Sequence, residues 1–483
     1  MTKHQHAPFK FRHIVPPLLA ALALTACGGG SDSQPEAARP QDARTFTPVV
    51  ASLTALAGAP ESDRWSGVNK GASYQIEVPK NWNGMLVMYA HGYAGTGANL
   101  TAGAPAMRRY LLTQGYAWAA SSYSKNYYDV RAGVEDTNAL ALAFNGIAAQ
   151  NGRTLPAPSK TYIVGVSMGG HIAAAAVDEE NINAANNKVR YNGAVPMCGV
   201  LGDTELFDYF TAYQVAAQQE AGIPVTSWPV ANWADIAPKV QSTLFSSFPT
   251  AATPTAAAVP TAQGLRLKQI VQNLTGGPRP LFDIGYAGPL QSTVWGTFGS
   301  DGTITGILND RVVSTVNTVF QLDANPALSA EETAYNASIF RVTATPDANR
   351  ARSDGLRWVP KTNALISVPV VTIHTLGDMY VPFGMEQIYK RRADALGTSG
   401  MLVQRAIRGV SHCDFTIAEQ TSAFDAMVNW EQKGVKPAGD DVLTPATVAD
   451  PKYGCKFTDN NFTVDDSTST KTVRTTVVPA CGA

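Results

Sequence analysis

Short apolar segments alternate with helical ones along most of the chain, and this alternation limits the possible folds more than any other feature. Apolar strands that alternate with helices are typical of a parallel sheet covered on both faces. We therefore expect an α/β architecture with right-handed crossovers. The predicted strands cover residues 72–78, 85–90, 115–120, 162–164, 194–195, 368–373 and 401–403; the predicted helices cover 104–114, 134–152 and 171–177 and begin near 386 and 415.

One long block interrupts this pattern. Residues 202–355 contain clusters of Pro, Ala, Thr and Gly and are predicted to form a lid-like insertion above the carboxyl edge of the sheet. The block contains aromatic residues that either face a substrate or form ordinary packing, and both interpretations stay open. They include Phe207, Tyr209, Phe210, Trp228, Trp233 and Trp295.

Composition and charge exclude several classes of function. The chain has 37 Lys+Arg against 38 Asp+Glu, so there is no general electrostatic basis for nucleic-acid binding. No GxGxxG motif lies at a strand-to-helix turn, and no GxxxxGKS or HExxH motif is present, so neither a nucleotide nor zinc is predicted. We expect no metal and no cofactor. Calcium binding at 459–461 and 465–466 is a weaker alternative to a solvated loop.

The N-terminal residues are predicted to direct export. Three basic residues, Lys3, Lys10 and Arg12, precede the apolar run 14–24, which is too short to span a bilayer and typical of a signal peptide. The run ends in Leu-Thr-Ala-Cys at 24–27, which resembles the lipobox of bacterial lipoproteins. An ordinary cleaved signal peptide followed by a chance cysteine is the alternative.

The lipobox resemblance implies a signal peptide over 1–26 and acylation of Cys27, with residues 27–60 forming a flexible tether. Gly28 is the residue type that this resemblance associates with transfer to an outer membrane. We therefore expect an exported protein that a lipid anchors to a membrane, at the bacterial outer membrane or cell surface.

Four cysteines remain beyond the lipobox, and an even number in an oxidising compartment favours two disulfides. Three pairings are possible. Cys455–Cys481 is favoured because both residues lie in a polar C-terminal tail, 441–483, with little core of its own. Closing that loop contributes about 3–4 kcal/mol in the chain-entropy model.

The motif Gly165-Val166-Ser167-Met168-Gly169 lies between a predicted strand and a predicted helix. A strand-to-helix turn that exposes a serine hydroxyl crowds its neighbours, so glycines are required two residues on either side. Ser167 is therefore predicted to be a nucleophile, with the N–H group of Met168 directed at the same pocket as an oxyanion donor. A glycine-rich turn without chemistry is the alternative.

A second turn, Ala90-His91-Gly92-Tyr93, follows the predicted strand 85–90. Its backbone is placed to supply another oxyanion donor, for which the N–H group of Tyr93 is the best candidate. A strand-ending turn without a role is the alternative.

A serine nucleophile needs a neutral imidazole as base and a carboxylate that orients the imidazole. His412 is the one histidine that follows all the predicted strands, and Asp378 follows the strand before it. Asp378 could instead cap a helix. The other histidines beyond the signal segment lie in a turn, on the helix after Ser167 and at the end of a buried strand: His91, His171 and His374.

The chain order Ser167, Asp378, His412 resembles that of the α/β-hydrolase fold, over residues 61–201 and 356–440. The His-Cys dipeptide at 412–413 also resembles the tannase and feruloyl-esterase group, in which a disulfide ties the nucleophile turn to the histidine loop. Here Val166, rather than Cys, precedes Ser167. The nearest substitute is Cys198, so the resemblance leads to the hypothesis of a Cys198–Cys413 disulfide.

This resemblance implies a serine hydrolase that cleaves small or oligomeric carboxylic esters through an acyl-enzyme. The departure at Val166 means that the substrates of the tannase and feruloyl-esterase group are not carried over. Two alternatives remain. The same triad cleaves amides, so an amidase or exopeptidase is possible, and a binding lipoprotein on an inactive hydrolase scaffold is the other.

Overall fold

An eight-stranded sheet lies at the centre of the protein in this computed structural model, which describes residues 36–250, 256–300 and 302–481. The described residues contain twelve strands, eight of which form this sheet. They are β1 Thr47–Val49, β2 Ser62–Asn69, β3 Ala72–Pro79, β4 Met85–Ala90, β5 Asn99–Thr101, β6 Ala117–Ser121, β7 Lys160–Val166, β8 Gly193–Met197, β9 Phe245–Ser247, β10 Val259–Pro260, β11 Val370–Thr375 and β12 Leu402–Ile407. The order in the sheet is β12-β11-β8-β7-β4-β6-β3-β2.

Most of the sheet is parallel, as the sequence predicts. Strands β12, β11, β8, β7, β4 and β6 pair in parallel in that order, whereas β3 is antiparallel to both β2 and β6. The parallel strands are buried on both faces because alternate side chains enter two different hydrophobic clusters. On β4, for example, Leu86 and Met88 belong to one cluster and Val87 to the other.

The helices cover both faces of this sheet, and several of them lie in the block 202–355. They are α1 Arg108–Thr113, α2 Val130–Gln150, α3 Met168–Ala176, α4 Glu179–Ala184, α5 Glu205–Glu220, α6 Trp233–Leu244, α7 Ala262–Leu274, α8 Phe282–Ala287, α9 Leu290–Trp295, α10 Ala330–Ser338, α11 Gly384–Ala395, α12 Ile417–Lys433, α13 Pro445–Val448 and α14 Thr468–Thr476. Short 3₁₀ helices lie at Pro40–Ala43 and Ser399–Met401.

The predicted insertion, 202–355, lies between β8 and β11 and contains the helices α5 to α10 and the short strands β9 and β10. Its side chains share one hydrophobic cluster with the sheet, since Tyr213 and Phe282 belong to the same cluster as Met88 and Ile163. Burial of this apolar surface stabilises the block against the sheet. The insertion therefore shares the sheet's hydrophobic core.

Residues 37–60 form part of the compact unit from Ala37 onward and are not a flexible tether, which corrects part of the prediction for 27–60. The Arg39 guanidinium donates to the Asp129 carboxylate at 2.7 Å, and the exposure of both side chains is 3% or less. Arg39 also stacks on the Trp358 ring at 3.8 Å. A few residues later, β1 pairs with β5. Composition alone did not reveal these long-range contacts.

The predicted signal segment, the lipobox and Cys27 lie outside the described residues. Within residues 36–250, 256–300 and 302–481, none of the helices has both the length and the hydropathy that a membrane crossing requires.

Replacing Arg39 with alanine should destabilise the protein, because it leaves the buried Asp129 carboxylate without its cation. Removing one partner of a buried ion pair costs about 3–5 kcal/mol. The control is Arg190→Ala, since Arg190 is 66% exposed in its pair with Glu179 and exposed pairs contribute about 0–1 kcal/mol. Urea denaturation measures both; equal stability of the two variants would contradict the docking of residues 37–60.

Candidate active site

Ser167 lies at the junction of β7 and α3, where the strand passes directly into the helix. Its backbone has φ 58° and ψ −122°, a region that residues other than glycine rarely adopt. Conformations of this kind persist only where the surrounding structure enforces them, and they cluster at functional sites. The helix begins at Met168, three residues earlier than the sequence predicted, because no linker separates it from the strand.

The two flanking glycines allow the backbone to pack without side chains. A Cβ atom on Gly165 would lie 2.0 Å from the Gly169 carbonyl oxygen, and one on Gly169 would lie 2.0 Å from the Ala90 carbonyl oxygen. Both distances are far below van der Waals contact. The end of β4, the end of β7 and the start of α3 therefore meet backbone to backbone around Ser167.

His412 connects Ser167 to Asp378. Its Nε2 atom lies 2.7 Å from the Ser167 Oγ atom, and its Nδ1 atom lies 2.6 Å from the Asp378 Oδ2 atom. An ionised carboxylate only accepts hydrogen bonds, so Nδ1 carries the proton and the lone pair of Nε2 faces the serine hydroxyl. This is the tautomer in which an imidazole can take a proton from serine.

Asp378 is fully buried in the loop after β11. Its Oδ2 atom accepts from His412, and its Oδ1 atom accepts from the backbone N–H groups of Tyr380 and Val381 at 2.9 and 3.0 Å. These contacts lie before α11, which begins at Gly384, so the side chain orients the imidazole rather than capping that helix. The carboxylate thus has fixed partners on both oxygens.

The loop that carries His412 is tied to the neighbouring strand by the Cys198–Cys413 disulfide. Cys198 directly follows β8, and both half-cystines have positive φ, 45° and 55°. The Cys413 Sγ atom lies 3.5 Å from the His412 Nε2 atom. Because the two sulfurs are bonded to each other, they do not offer thiolates to a metal in the cluster that they form with His412.

The C-terminal tail supports the same loop, which the sequence analysis did not anticipate. The buried Arg474 guanidinium donates to both carboxylate oxygens of Glu419 at 3.0 Å and to the backbone carbonyl of Asp414. Glu419 also accepts from the N–H group of Thr416, which caps α12. The Thr-x-x-Glu capping pattern at 416–419 was the available sequence signal. The second disulfide, Cys455–Cys481, closes this tail.

His91 and His171 have other partners. Burial lowers the pKa of both side chains, which are therefore neutral near pH 7. The His91 Nδ1 atom lies 2.6 Å from the Gly92 carbonyl oxygen. The His171 Nε2 atom donates to the Pro360 carbonyl, so its Nδ1 atom accepts the hydroxyl proton of Tyr128. It is His412, and neither of these two rings, that lies within hydrogen-bond distance of the Ser167 Oγ atom.

His374 contacts the loop that carries Asp378. Its Nε2 atom lies 2.7 Å from the Val381 carbonyl oxygen, and its Nδ1 atom lies 3.3 Å from the Glu386 carboxylate. Burial acts to lower the pKa of His374, but the hydrogen bond and negative charge of Glu386 outweigh it, so the pKa is raised. This buried pair positions the loop and does not contact the reacting atoms.

Met168 and Tyr93, the residues predicted to supply the oxyanion donors, both lie near Ser167 in the structure. Met168 is the first residue of α3, so its N–H group has no acceptor within the helix. Gly92 packs against the nucleophile closely enough that a Cβ atom there would lie 3.2 Å from the Ser167 Cβ atom. Tyr93 follows Gly92 and lies with Ser167 on the wall of one cavity.

This cavity, which we call the Ser167 cavity, has a volume of about 320 Å³ and lies between the sheet and the insertion. Three of the aromatic residues noted in the insertion line it, namely Phe207, Phe210 and Trp228. Trp233 and Trp295 pack against each other inside the insertion, and the buried Tyr209 donates its hydroxyl proton to the Met379 carbonyl in the loop after β11. Lining the cavity is compatible with the substrate-facing interpretation, which stays a prediction for Phe207, Phe210 and Trp228.

The acidic residues considered for calcium have protein partners. Asp465 pairs with Arg109 at 2.7 Å, and Asp466 accepts from the backbone N–H groups of Ile417 and Thr463. Asp459 accepts from the N–H group of Asn461. These carboxylates stabilise the fold of the C-terminal tail.

The sheet order, the serine on a strand-to-helix turn and the order Ser, Asp, His after β7, β11 and β12 decide the architecture. The chain has the α/β-hydrolase fold. No protein-family model matches the chain, and neither does any curated protein sequence.

Solved structures with some similarity include feruloyl esterase B from Aspergillus oryzae, with TM-score 0.37, 14% identity and coverage of 83% of this chain and 89% of that one. Esterase 2 from Thermogutta terrifontis has TM-score 0.34, 13% identity and coverage of 79% and 97%. Acylaminoacyl peptidase from Pyrococcus horikoshii has TM-score 0.35 and 9% identity; 79% of this chain matches 43% of that one. Such low scores carry no argument about activity, which rests on the site itself.

Adding a methyl group at Gly165 should destabilise the protein by about 2–3 kcal/mol, because the new Cβ atom has no room beside the Gly169 carbonyl. The control is Gly146→Ala on the exposed face of α2, where nothing lies within 4 Å of the added atom. That change should stabilise the helix by about 0.5–1 kcal/mol. Urea denaturation compares the two; an unchanged free energy of unfolding for Gly165→Ala would contradict the backbone contact.

Proposed function

We propose that this protein is an exported serine hydrolase that cleaves carboxylic esters through an acyl-enzyme. The observation that carries this proposal is the hydrogen-bond chain from Ser167 through His412 to Asp378, with Ser167 on the wall of the Ser167 cavity. A serine whose proton faces a neutral, oriented imidazole is an activated nucleophile.

In the first half of the reaction, the Ser167 Oγ atom attacks the acyl carbonyl while the His412 Nε2 atom takes the hydroxyl proton. Asp378 stabilises the imidazolium that forms, and it keeps the ring in the required orientation. The N–H groups of Met168 and Tyr93 are the proposed donors to the oxyanion. His412 then gives its proton to the departing alcohol oxygen as the ester C–O bond breaks.

In the second half, water replaces the alcohol and attacks the acyl-enzyme, with His412 again acting first as base and then as acid. The same imidazole thus accepts and returns the proton of the serine hydroxyl and later that of the water, and the acid product leaves. This scheme uses only residues of the chain and requires no cofactor.

Export and membrane attachment are part of the proposal. Two disulfides are typical of proteins that fold in an oxidising compartment, and they support export. The predicted signal segment over residues 1–26 supports it independently. Acylation of Cys27 would attach the protein to a membrane, from which it would act on ester substrates outside the cytoplasm.

The triad is tested with the chain that begins after Cys27, using para-nitrophenyl acetate, butyrate and octanoate. Ser167→Ala and His412→Ala should each lower kcat by about 10⁴-fold or more, and Asp378→Asn by about 10⁴-fold, with little change in the free energy of unfolding. Initial rates measure this, and the trend with chain length gives the size of the acyl site.

Aminoacyl para-nitroanilides serve as the comparison. Faster turnover of anilides than of esters would shift the assignment to an amidase, and no turnover of either by folded wild-type protein would leave a binding lipoprotein. Ester turnover that persists in Ser167→Ala would show that another residue is the nucleophile.

The lipid anchor is tested in a bacterial host by feeding an alkyne-tagged palmitate. The full chain should carry the tag and fractionate with membranes, whereas Cys27→Ser should carry none. A tag that survives in Cys27→Ser, or a wild-type protein without a tag that is released in soluble form, would contradict the proposed anchor.

A further inference from the structure

Two residues that line the Ser167 cavity, Gln214 and Trp228, each carry a buried hydrogen-bond donor that has no acceptor among the described residues. The donors are the side-chain amide Nε2 of Gln214 and the indole Nε1 of Trp228. Gln214 is only 1% exposed, and the Trp228 Nε1 atom is itself shielded from solvent. Buried donors normally have a partner, so each such group needs a physical reason.

The orientation of the Gln214 amide is fixed by its other end. The Oε1 atom accepts from the backbone N–H group of Gly299 at 2.9 Å. This contact decides which end of the Gln214 amide is oxygen and which is nitrogen, because only the oxygen can accept a hydrogen bond from the Gly299 N–H group. The Nε2 hydrogens are left for a partner other than Gly299.

The rest of the cavity wall favours an uncharged partner. Among the described residues that line it, none is Asp, Glu, Lys or Arg. Leu206, Phe207, Phe210 and Val313 make much of the wall apolar. A charged ligand group would lose its hydration there without gaining an opposite charge from these described residues, whereas a neutral oxygen could accept from Gln214 or Trp228.

The size and chemistry of the wall define the rest of the ligand. A cavity of about 320 Å³ lies at the small end of the range for organic ligands. Flat apolar groups pack well against the rings of Phe207, Phe210 and Tyr380 that line it. A ring-sized apolar group with one or two neutral oxygens fits these walls better than a plain alkyl chain.

We infer that Gln214 and Trp228 are specificity-determining residues: they recognise a neutral hydrogen-bond acceptor, a hydroxyl, ether or second ester oxygen, on the part of the ester held in the Ser167 cavity. This inference rests on the proposed function, because it concerns the substrate of the same site. The donors select among esters and take no part in proton transfer.

The test uses pairs of esters that differ by one oxygen at constant size. On the alcohol side the pair is 4-methoxybenzyl and 4-ethylbenzyl butyrate; on the acyl side it is methyl 3-(4-methoxyphenyl)propanoate and methyl 3-(4-ethylphenyl)propanoate. The full chain, purified in detergent, is assayed for kcat/KM on each ester. The kcat/KM of the methoxy ester is divided by that of the ethyl ester, and this ratio cancels any effect that changes kcat/KM equally for both.

In at least one pair, Gln214→Met and Trp228→Phe should each lower this ratio by about two- to tenfold, the range expected for one hydrogen bond to a neutral acceptor. The matched control is Gln218→Met. Gln218 lies one helical turn away on α5, is equally buried at 1% exposure and also has an unpartnered Nε2 atom, but it does not line the cavity. Its replacement should leave the ratio unchanged.

A ratio that is the same in wild type, Gln214→Met and Trp228→Phe for both pairs would overturn the inference. An equal fall in Gln218→Met would also overturn it, because the effect would then come from packing in α5. If Gln214→Met fails to fold once Gly299 loses its acceptor, Trp228→Phe decides, since it removes only the indole donor and part of the ring.

Binding separates this inference from the proposed function. The same esters are titrated by calorimetry into Ser167→Ala and into Ser167→Ala with Gln214→Met. If wild type hydrolyses no ester, the proposed function fails; a methoxy preference in binding that disappears with Gln214 would still support recognition of the oxygen. Equal binding of methoxy and ethyl esters to both proteins would overturn it.

Discussion

The backbone contact among Gly165, Gly169 and Ala90 is the constraint on which the candidate site depends. It leaves no room for a Cβ atom at either glycine, and it forces the intervening Ser167 to φ 58°. The hydroxyl lies 2.7 Å from the His412 Nε2 atom, on the loop after β12. A serine on a freer turn would have to lose conformational entropy each time it met the base.

Asp378 and His412 lie on loops, and each loop is held by contacts outside the hydrogen-bond chain that joins them to Ser167. Asp378 accepts hydrogen bonds from two backbone N–H groups of its own loop. His374 contacts the Val381 carbonyl oxygen of the same loop. The loop of His412 is tied by a disulfide on one side and by Arg474 on the other. Loops are usually more mobile than helices and strands. The disulfide and the contacts of Arg474 therefore preorganise the imidazole of His412.

The sheet and the grouping of Ser167, Asp378 and His412 could be predicted from the sequence because their signals are largely local. The strand 85–90 has the predicted bounds, and Ser167 is marked by glycines two residues away on each side. Arg39 and Arg474 were missed because each pairs with a carboxylate far along the chain, which no local pattern reveals. The helix α5 was missed because nearly all of its faces are buried, so it shows no clear polar and apolar sides.

The central claim is that His412 activates Ser167, and covalent labelling tests it most directly. The folded chain is treated with a fluorophosphonate probe, in which an activated serine displaces fluoride from phosphorus, and the adduct is located by peptide mass spectrometry. The account predicts one adduct, on Ser167, that is absent from His412→Gln. An unlabelled folded protein, an adduct on another residue, or equal labelling of His412→Gln would contradict it.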